Sequence, residues 1–302
     1  MTPADAPYAL VGPDPQFAPL DRADHLRGDP AVLAALWPAA CVLRLDGDGR
    51  VACDADGAPS IARGQALGDM PADADFLGLD DESIAWFACT FTDAQAPRTD
   101  LRTAAATWPA RAASAYASAH ALHHWHARHR YCGACGGEVQ FLRGGWLGRC
   151  LRCEREHYPR TDPAVIVAVG EGTRLLMGRQ ASWPARRYSV IAGFVEPGET
   201  LEQAVAREVM EETGIRITGC RYLGSQPWPF PTSLMLGFIA EAGSAEIRGS
   251  DELEHARWFE RDDVVAALDA ETRGDTEGGA FLPPARISIA HWLVRQWVAA
   301  TA

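Results

Sequence analysis

The sequence predicts an α+β chain of three modules in series: a small mixed N-terminal domain, a four-cysteine ribbon, and a larger domain in which helices cover a sheet. Three observations predict it. Two Cys-x2-Cys pairs, Cys132/Cys135 and Cys150/Cys153, stand fourteen residues apart in mid-chain. Beyond them, the apolar runs 164–169 and 173–177 read as buried strands joined through the turn Gly170-Glu171-Gly172. An amphipathic helical pattern with a start signal and a stop signal then spans 200–214. The expected boundaries are 1–128, 129–158 and 159–302.

Bulk properties narrow the class. A chain of 302 residues, 47% hydrophobic and 23% charged, is long and apolar enough for two to three packed domains. No run of about 18 apolar residues occurs, so no membrane helix is expected. The start, Met1 to Gln16, lacks the basic and apolar stretches of a signal peptide, which makes cytoplasmic the expected location. The net charge of −12 argues against a protein that grips a long duplex by its phosphates, but not against a small anionic substrate carried with divalent cations. All 28 basic residues are arginine. This excludes a Schiff-base lysine, a Walker lysine and a lysine nucleophile.

Residues 1–105 show short apolar runs, 41–45 and 83–88, between Asp/Gly turns, and predict strands of a mixed domain with a structural or dimerising role. A helix is expected over 109–128 from its alanine-rich periodicity. It carries His120, His123, His124 and His126, with His129 just beyond. His120 and His124 have an i, i+4 spacing that can bind a metal, but no nearby carboxylate completes a site, so packing is the expected role. The polar stretch 269–279 is expected to be a flexible loop.

Four thiolates in two Cys-x2-Cys turns supply the soft tetrahedral set that Zn2+ prefers, with 139–147 as a hairpin between them. Four cysteines leave no position for water, so a structural zinc is expected. Arg143, Trp146, Arg149 and Arg152 allow the alternative of a nucleic-acid-binding ribbon, which Glu138, Glu154 and Glu156 weaken. The other four cysteines, Cys41, Cys53, Cys89 and Cys220, read as buried thiols in a reducing compartment.

In the capped helix, Thr200 and Gln203 form a capping-box pair and Gly214 is the expected C-terminal stop. Leu201, Val205 and Val209 face the core. Glu208, Glu211 and Glu212, at i, i+3 and i+4, share one face. Like charges there repel, by a few tenths of a kcal/mol per pair in an isolated helix. Their retention points to a cation between them, and hard oxygen ligands suit Mg2+ or Mn2+. Arg207 is placed to pair with Glu199 and fix the preceding loop to the helix.

The segment Gly193-x5-Glu199-x7-Arg207-Glu208-Val209-x-Glu211-Glu212-x-Gly214-Ile215 resembles the Nudix box at every defined position. The resemblance implies an αβα sandwich, hydrolysis of a nucleoside diphosphate linked to another moiety, and metal ligation by Glu208, Glu211 and Glu212, with Glu212 activating the water. Further along, Ser225-Gln226-Pro227-Trp228-Pro229-Phe230-Pro231-Thr232-Ser233 reads as a proline-stiffened loop that presents flat rings. It resembles the signature of NADH pyrophosphatases of the NudC type, which share the order of divergent N-terminal domain, zinc ribbon and Nudix domain. That family implies a homodimer hydrolysing NADH to reduced nicotinamide mononucleotide plus AMP, and removing NAD caps from RNA 5′ ends.

By the same resemblance Phe194 stacks on nicotinamide, Tyr158 reaches the other subunit's site, Gln226, Trp228 and Ser233 line the substrate pocket, and Ala290 offers a backbone group near the phosphates. Glu252 is the additional metal ligand, with Glu254 as the other candidate. Two rival readings stand beside this one: a Nudix hydrolase of another nucleotide such as ADP-ribose, and a zinc-ribbon nucleic-acid-binding regulator.

Overall fold

The computed structural model of the chain describes residues 20–90, 96–244, 246–249, 251–275 and 277–301. The segment Met1–Gln16, read above for a leader peptide, lies outside them. The backbone divides into two compact units, one holding 20–161 with Pro229–Thr232, the other Asp162–Trp228 with 233–301. No described helix is long and apolar enough to cross a membrane.

The first unit opens with helix α1 (Pro30–Leu36), started by the Asp29 carboxylate accepting from the Ala31 and Val32 amides. A six-stranded sheet follows, built from β1 (Cys41–Leu45), β2 (Val51–Ala52), β3 (Ala62–Arg63), β4 (Asp75–Leu79), β5 (Ala85–Thr90) and β6 (Arg98–Thr99). The apolar runs expected as strands are β1 and β5, which pair in parallel. Helices α2 (Leu101–Thr107) and α3 (Ala110–Arg128) come next.

Two of the α3 histidines lie against backbone carbonyls. His123 Nε2 lies 3.1 Å from the Gly47 carbonyl, and His126 Nε2 lies 2.8 Å from that of Gly145. The ribbon closes the unit as a three-stranded sheet, β7 (Val139–Leu142), β8 (Leu147–Cys150) and β9 (Glu156–His157).

The second unit is organised by β10 (Asp162–Glu171), whose burial is near-continuous because both faces are covered. It turns into β11 (Arg174–Arg179), and β12 (Ile191–Phe194) pairs with β10 further along the same edge. Helix α4 (Leu201–Thr213) follows, then β13 (Ile217–Trp228), β14 (Ser233–Ala242), β15 (His255–Glu260), α5 (Arg261–Thr272) and α6 (Ile289–Ala300). The sheet order is β13-β14-β10-β11-β15.

Strand alternation explains the layers. Val165, Val167 and Val169 pack with Val205 and Val209 of α4. Ile166 and Ala168 pack with Val264 and Leu268 of α5 and Leu293 and Trp297 of α6. This is the αβα sandwich that the sequence led one to expect.

Two expectations are corrected. Ser225–Trp228 is the end of β13, not a loop: Ser225, Gln226 and Pro227 pair with Leu236, Met235 and Leu234. Pro227 is tolerated because β13 lies at the sheet edge, where a missing N–H breaks no ladder. The stretch 269–279 begins inside α5, because the apolar period Val264, Ala267, Leu268 continues to Ala270 and holds Asp269–Thr272 helical. Past the helix, Arg186 donates to the Glu277, Gly278 and Gly279 carbonyls.

Candidate active site

Helix α4 presents the acidic cluster, and its ends are fixed locally. Thr200 Oγ1 accepts from the Gln203 amide and Gln203 returns the bond to Thr200, completing the capping box. Gly214 stops the helix in the left-handed region at φ 70°, where a Cβ is costly. Between these ends Glu208 and Glu212 are buried, 8% and 6% exposed, while Glu211 is open to solvent.

Arg207 organises the cluster. Its guanidinium grips Glu199 through Nε at 2.6 Å and Nη2 at 2.9 Å. Nη1 donates to Glu208 at 2.9 Å and to Glu211 at 3.0 Å, and Nη2 donates to the Phe194 carbonyl at 2.8 Å. The Glu199 pairing is the one the sequence led to; the other three were hidden, since they depend on how β12 lies against α4. Arg207 holds Glu199 far below the usual carboxylate range, down to about 2. The close seating of Glu208 also explains Gly193. A Cβ on that residue would lie 1.9 Å from the Glu208 carboxyl carbon.

Glu212 has no such cation. Burial, with the charges of Glu208 and Glu252, pushes its carboxyl up to about 7. Glu208 is raised by burial, against the pull of Arg207. The cluster therefore carries more negative charge than Arg207 offsets, and its hard oxygen donors could hold a divalent ion. The charge of Glu252 raises both Glu208 and Glu212. Glu254 is spent on an ion pair with Arg179, and its backbone N–H donates to the Arg179 carbonyl.

The remaining predicted residues lie apart from one another in the fold. Phe194 ends β12 with its ring 59% exposed, held beside the cluster by the Arg207 bond to its carbonyl. Trp228 and Ser233 face each other across the β13–β14 hairpin.

Gln226 lies inside the unit. Its side chain is fully buried, its amide donates to the Ile287 carbonyl at 2.7 Å, and its oxygen accepts from the Ile289 amide at 2.7 Å. Both ends of the amide thus tie β13 to the start of α6. Ala290 lies one residue into that helix, between the Ile289 amide bound by Gln226 and the His291 amide bound by Ser288. Tyr158 lies in the first unit, 63% exposed, with its hydroxyl donating to Glu156 at 2.5 Å.

The four ribbon cysteines bring their sulfurs within 4.8 Å of one another, with Cys132–Cys153 at 3.7 Å and Cys135–Cys150 at 3.5 Å. A tetrahedral zinc with Zn–S of about 2.3 Å needs sulfurs about 3.8 Å apart, so the set fits. The amides of Cys153 and Arg152 point at Cys150 Sγ and lower its thiol, as hydrogen bonds to a thiolate do. No other histidine, cysteine or acidic group among the described residues converges as closely. The glutamates stand more openly, which suits an ion that keeps several waters.

Cys132→Ser should remove this ion and with it the order of the ribbon. Zinc content measured with a colorimetric chelator should fall from one per chain to near zero, and amide exchange across 130–157 should rise. Retained slow exchange in the zinc-free variant would show that the metal does not hold the ribbon.

Comparison with known proteins gives the same layout. Residues 159–277 match the NUDIX domain model, and 127–158 match the NADH pyrophosphatase zinc ribbon domain. Solved Nudix structures are among the similar folds, such as a Nitrosomonas europaea Nudix hydrolase (27% identical, TM-score 0.37, covering 44% of this chain and 78% of that one). The NAD-capped RNA hydrolase NudC of Mycobacterium bovis is 40% identical over 290 residues, covering 92% of each chain. The Mycobacterium tuberculosis protein of that name is 39% identical over the same span. Human NAD-capped RNA hydrolase NUDT12 is 41% identical over 197 residues, 62% of this chain and 42% of that one. The chain belongs to the NudC family of zinc-ribbon Nudix hydrolases.

Proposed function

We propose that the protein hydrolyses the diphosphate of NADH and NAD+ to the (reduced) nicotinamide mononucleotide plus AMP, and removes NAD from the 5′ ends of capped RNA. The observation that carries this reading is the exposed Phe194, whose backbone carbonyl Arg207 ties to a cluster of glutamates suited to a divalent cation. A flat aromatic surface beside such a cluster can stack a nicotinamide while the diphosphate meets the carboxylates. The names of the mycobacterial and human relatives support the same substrates.

Glu208, Glu211, Glu212 and Glu252 would hold Mg2+ or Mn2+, whose bound charge offsets that of the diphosphate and eases formation of a nucleophile from water. Glu212, with its carboxyl near 7, is matched to neutral pH as the group that takes the proton from the attacking water. The water oxygen bonds to one phosphorus, the bridging P–O bond breaks, and the departing phosphate carries away the bond's electrons. Arg207 and Glu199 keep the loop and the helix in register during this step. The zinc of the ribbon is structural.

We further infer a homodimer in which Tyr158 contributes to the partner's site; its 63% exposure leaves its ring available for that. Free cysteines throughout the described chain suit a reducing compartment such as the cytoplasm.

Phe194→Ala tests the nicotinamide assignment. Losing one stacking surface worth about 1–3 kcal/mol should lower kcat/KM on NADH by about 5- to 150-fold. Cleavage of a diphosphate ester without a nicotinamide should fall far less. Unchanged NADH turnover would favour the rival reading of another nucleotide substrate.

A further inference from the structure

The first unit holds a cavity of about 350 Å3 that the proposed reaction does not use. It forms where the ends of β1, β4 and β5 meet α3 and β7, and small side chains, Ala88 and Ala119 among them, leave the room. Its floor carries a carboxyl where the pattern of β4 calls for an apolar group. Asp75 begins a strand whose next three residues are all buried, faces Ala88 in the register, and is itself only 8% exposed.

That carboxyl has no hydrogen-bond donor among the described residues. His126 Nδ1 stands 3.8 Å from Asp75 Oδ1, beyond hydrogen-bond reach. His126 is turned by its other nitrogen, which lies 2.8 Å from the Gly145 carbonyl. Since a carbonyl only accepts, Nε2 carries the proton, and a neutral ring directs the Nδ1 lone pair toward Asp75. The floor thus presents a carboxyl and an imidazole lone pair that no protein donor fills.

The rim is ordered by charge. Asp73 and Arg130 both line the cavity and are exposed, and neither has an ion-pair partner among the described residues. One rim residue adds to the negative floor; the other supplies the opposite sign.

We propose that this cavity binds a small zwitterion, a primary ammonium on a short apolar body with an anionic group at its far end. The ammonium donates to Asp75, His126 Nδ1 and Asp73, and the anionic end meets Arg130. An ammonium supplies three donors, and the floor offers acceptors that no protein group fills. A simple carboxylic acid would set its charge against Asp73 and leave Asp75 unpaired. The site is independent of the diphosphate chemistry above.

Isothermal calorimetry on the full zinc-loaded protein tests this with four probes: 4-aminobutyrate, 1,4-diaminobutane, butyrate and Zn2+. Wild type should bind 4-aminobutyrate and not butyrate. Asp75→Asn should weaken 4-aminobutyrate at least tenfold while NADH hydrolysis continues at the wild-type rate. Arg130→Gln should weaken 4-aminobutyrate but leave 1,4-diaminobutane unchanged. Should Asp75→Asn fail to fold, Arg130→Gln and saturation-transfer NMR on wild type carry the test. The proposal is overturned if no amine binds at millimolar concentration, if butyrate binds equally well, or if Zn2+ occupies the cavity and excludes the amines.

Discussion

Glu212→Gln is expected to lower kcat on NADH by about 10²- to 10⁴-fold, the range for loss of a positioned general base, and to make the metal-free protein more stable. The second effect follows from the first unit of chemistry at the site. Burial and two like charges raise the Glu212 carboxyl from an ordinary 4.5 to about 7. A carboxyl with a raised folded-state pKa holds its proton more tightly in the folded chain than in the unfolded one. Folding is therefore unpenalised below about 4.5, loses stability as pH rises, and bears the full cost above about 7. Glutamine removes that charge.

At pH 8 the metal-free variant should exceed wild type by on the order of 1–3 kcal/mol, or about 2–8 °C in Tm. The gap should shrink as pH falls toward 5. Saturating Mg2+ should reverse the order, because wild type gains more from binding. A metal-free Glu212→Gln protein less stable than wild type at pH 8 would show that the carboxylates do not strain the fold.

Gly193→Ala should be the most damaging single methyl in the second unit. The added carbon would sit 1.9 Å from the Glu208 carboxyl carbon and about as close to both its oxygens, so the carboxylate must move off the strand. Moving it breaks the bond from Arg207 and displaces a group proposed to hold the metal. Overpacking of this kind costs about 1–3 kcal/mol of stability. A displacement of about 1 Å at a reacting site can cost about 100-fold in rate. Gly219→Ala is the matched control: nothing lies within 4 Å of a Cβ there. Equal activity of the two variants would mean that the Glu208 position does not matter.

The box was legible because its signals are local. Caps, apolar spacing and the carboxylate face all fall within one helix, and β10 announced itself by an unbroken apolar run. What escaped depends on contacts far apart in sequence. Gln226 stands in a motif that reads as substrate-facing, but its partners are Ile287 and Ile289, brought to it only by the packing of α6. Glu252 and Glu254 are indistinguishable by spacing; the Arg179 ion pair on Glu254 belongs to the pairing of β11 with β15. The acidic surface of α5 hid its last turn, since charge on an exposed helix face resembles the charge of a loop. The carboxyl of Asp75 gave no signal, because burial of a lone aspartate cannot be read from its neighbours.

The most direct test of the central claim is a comparison of kcat/KM for NADH, NAD+, ADP-ribose and NAD-capped RNA with Mg2+ and with Mn2+, the products followed by phosphorus-31 NMR. NADH should be cleaved only with metal, should exceed ADP-ribose by at least about tenfold, the worth of one stacking contact of about 1.4 kcal/mol, and should yield two phosphomonoesters in place of the diphosphate. Preference for ADP-ribose, or no metal-dependent cleavage of any of the four, would contradict it.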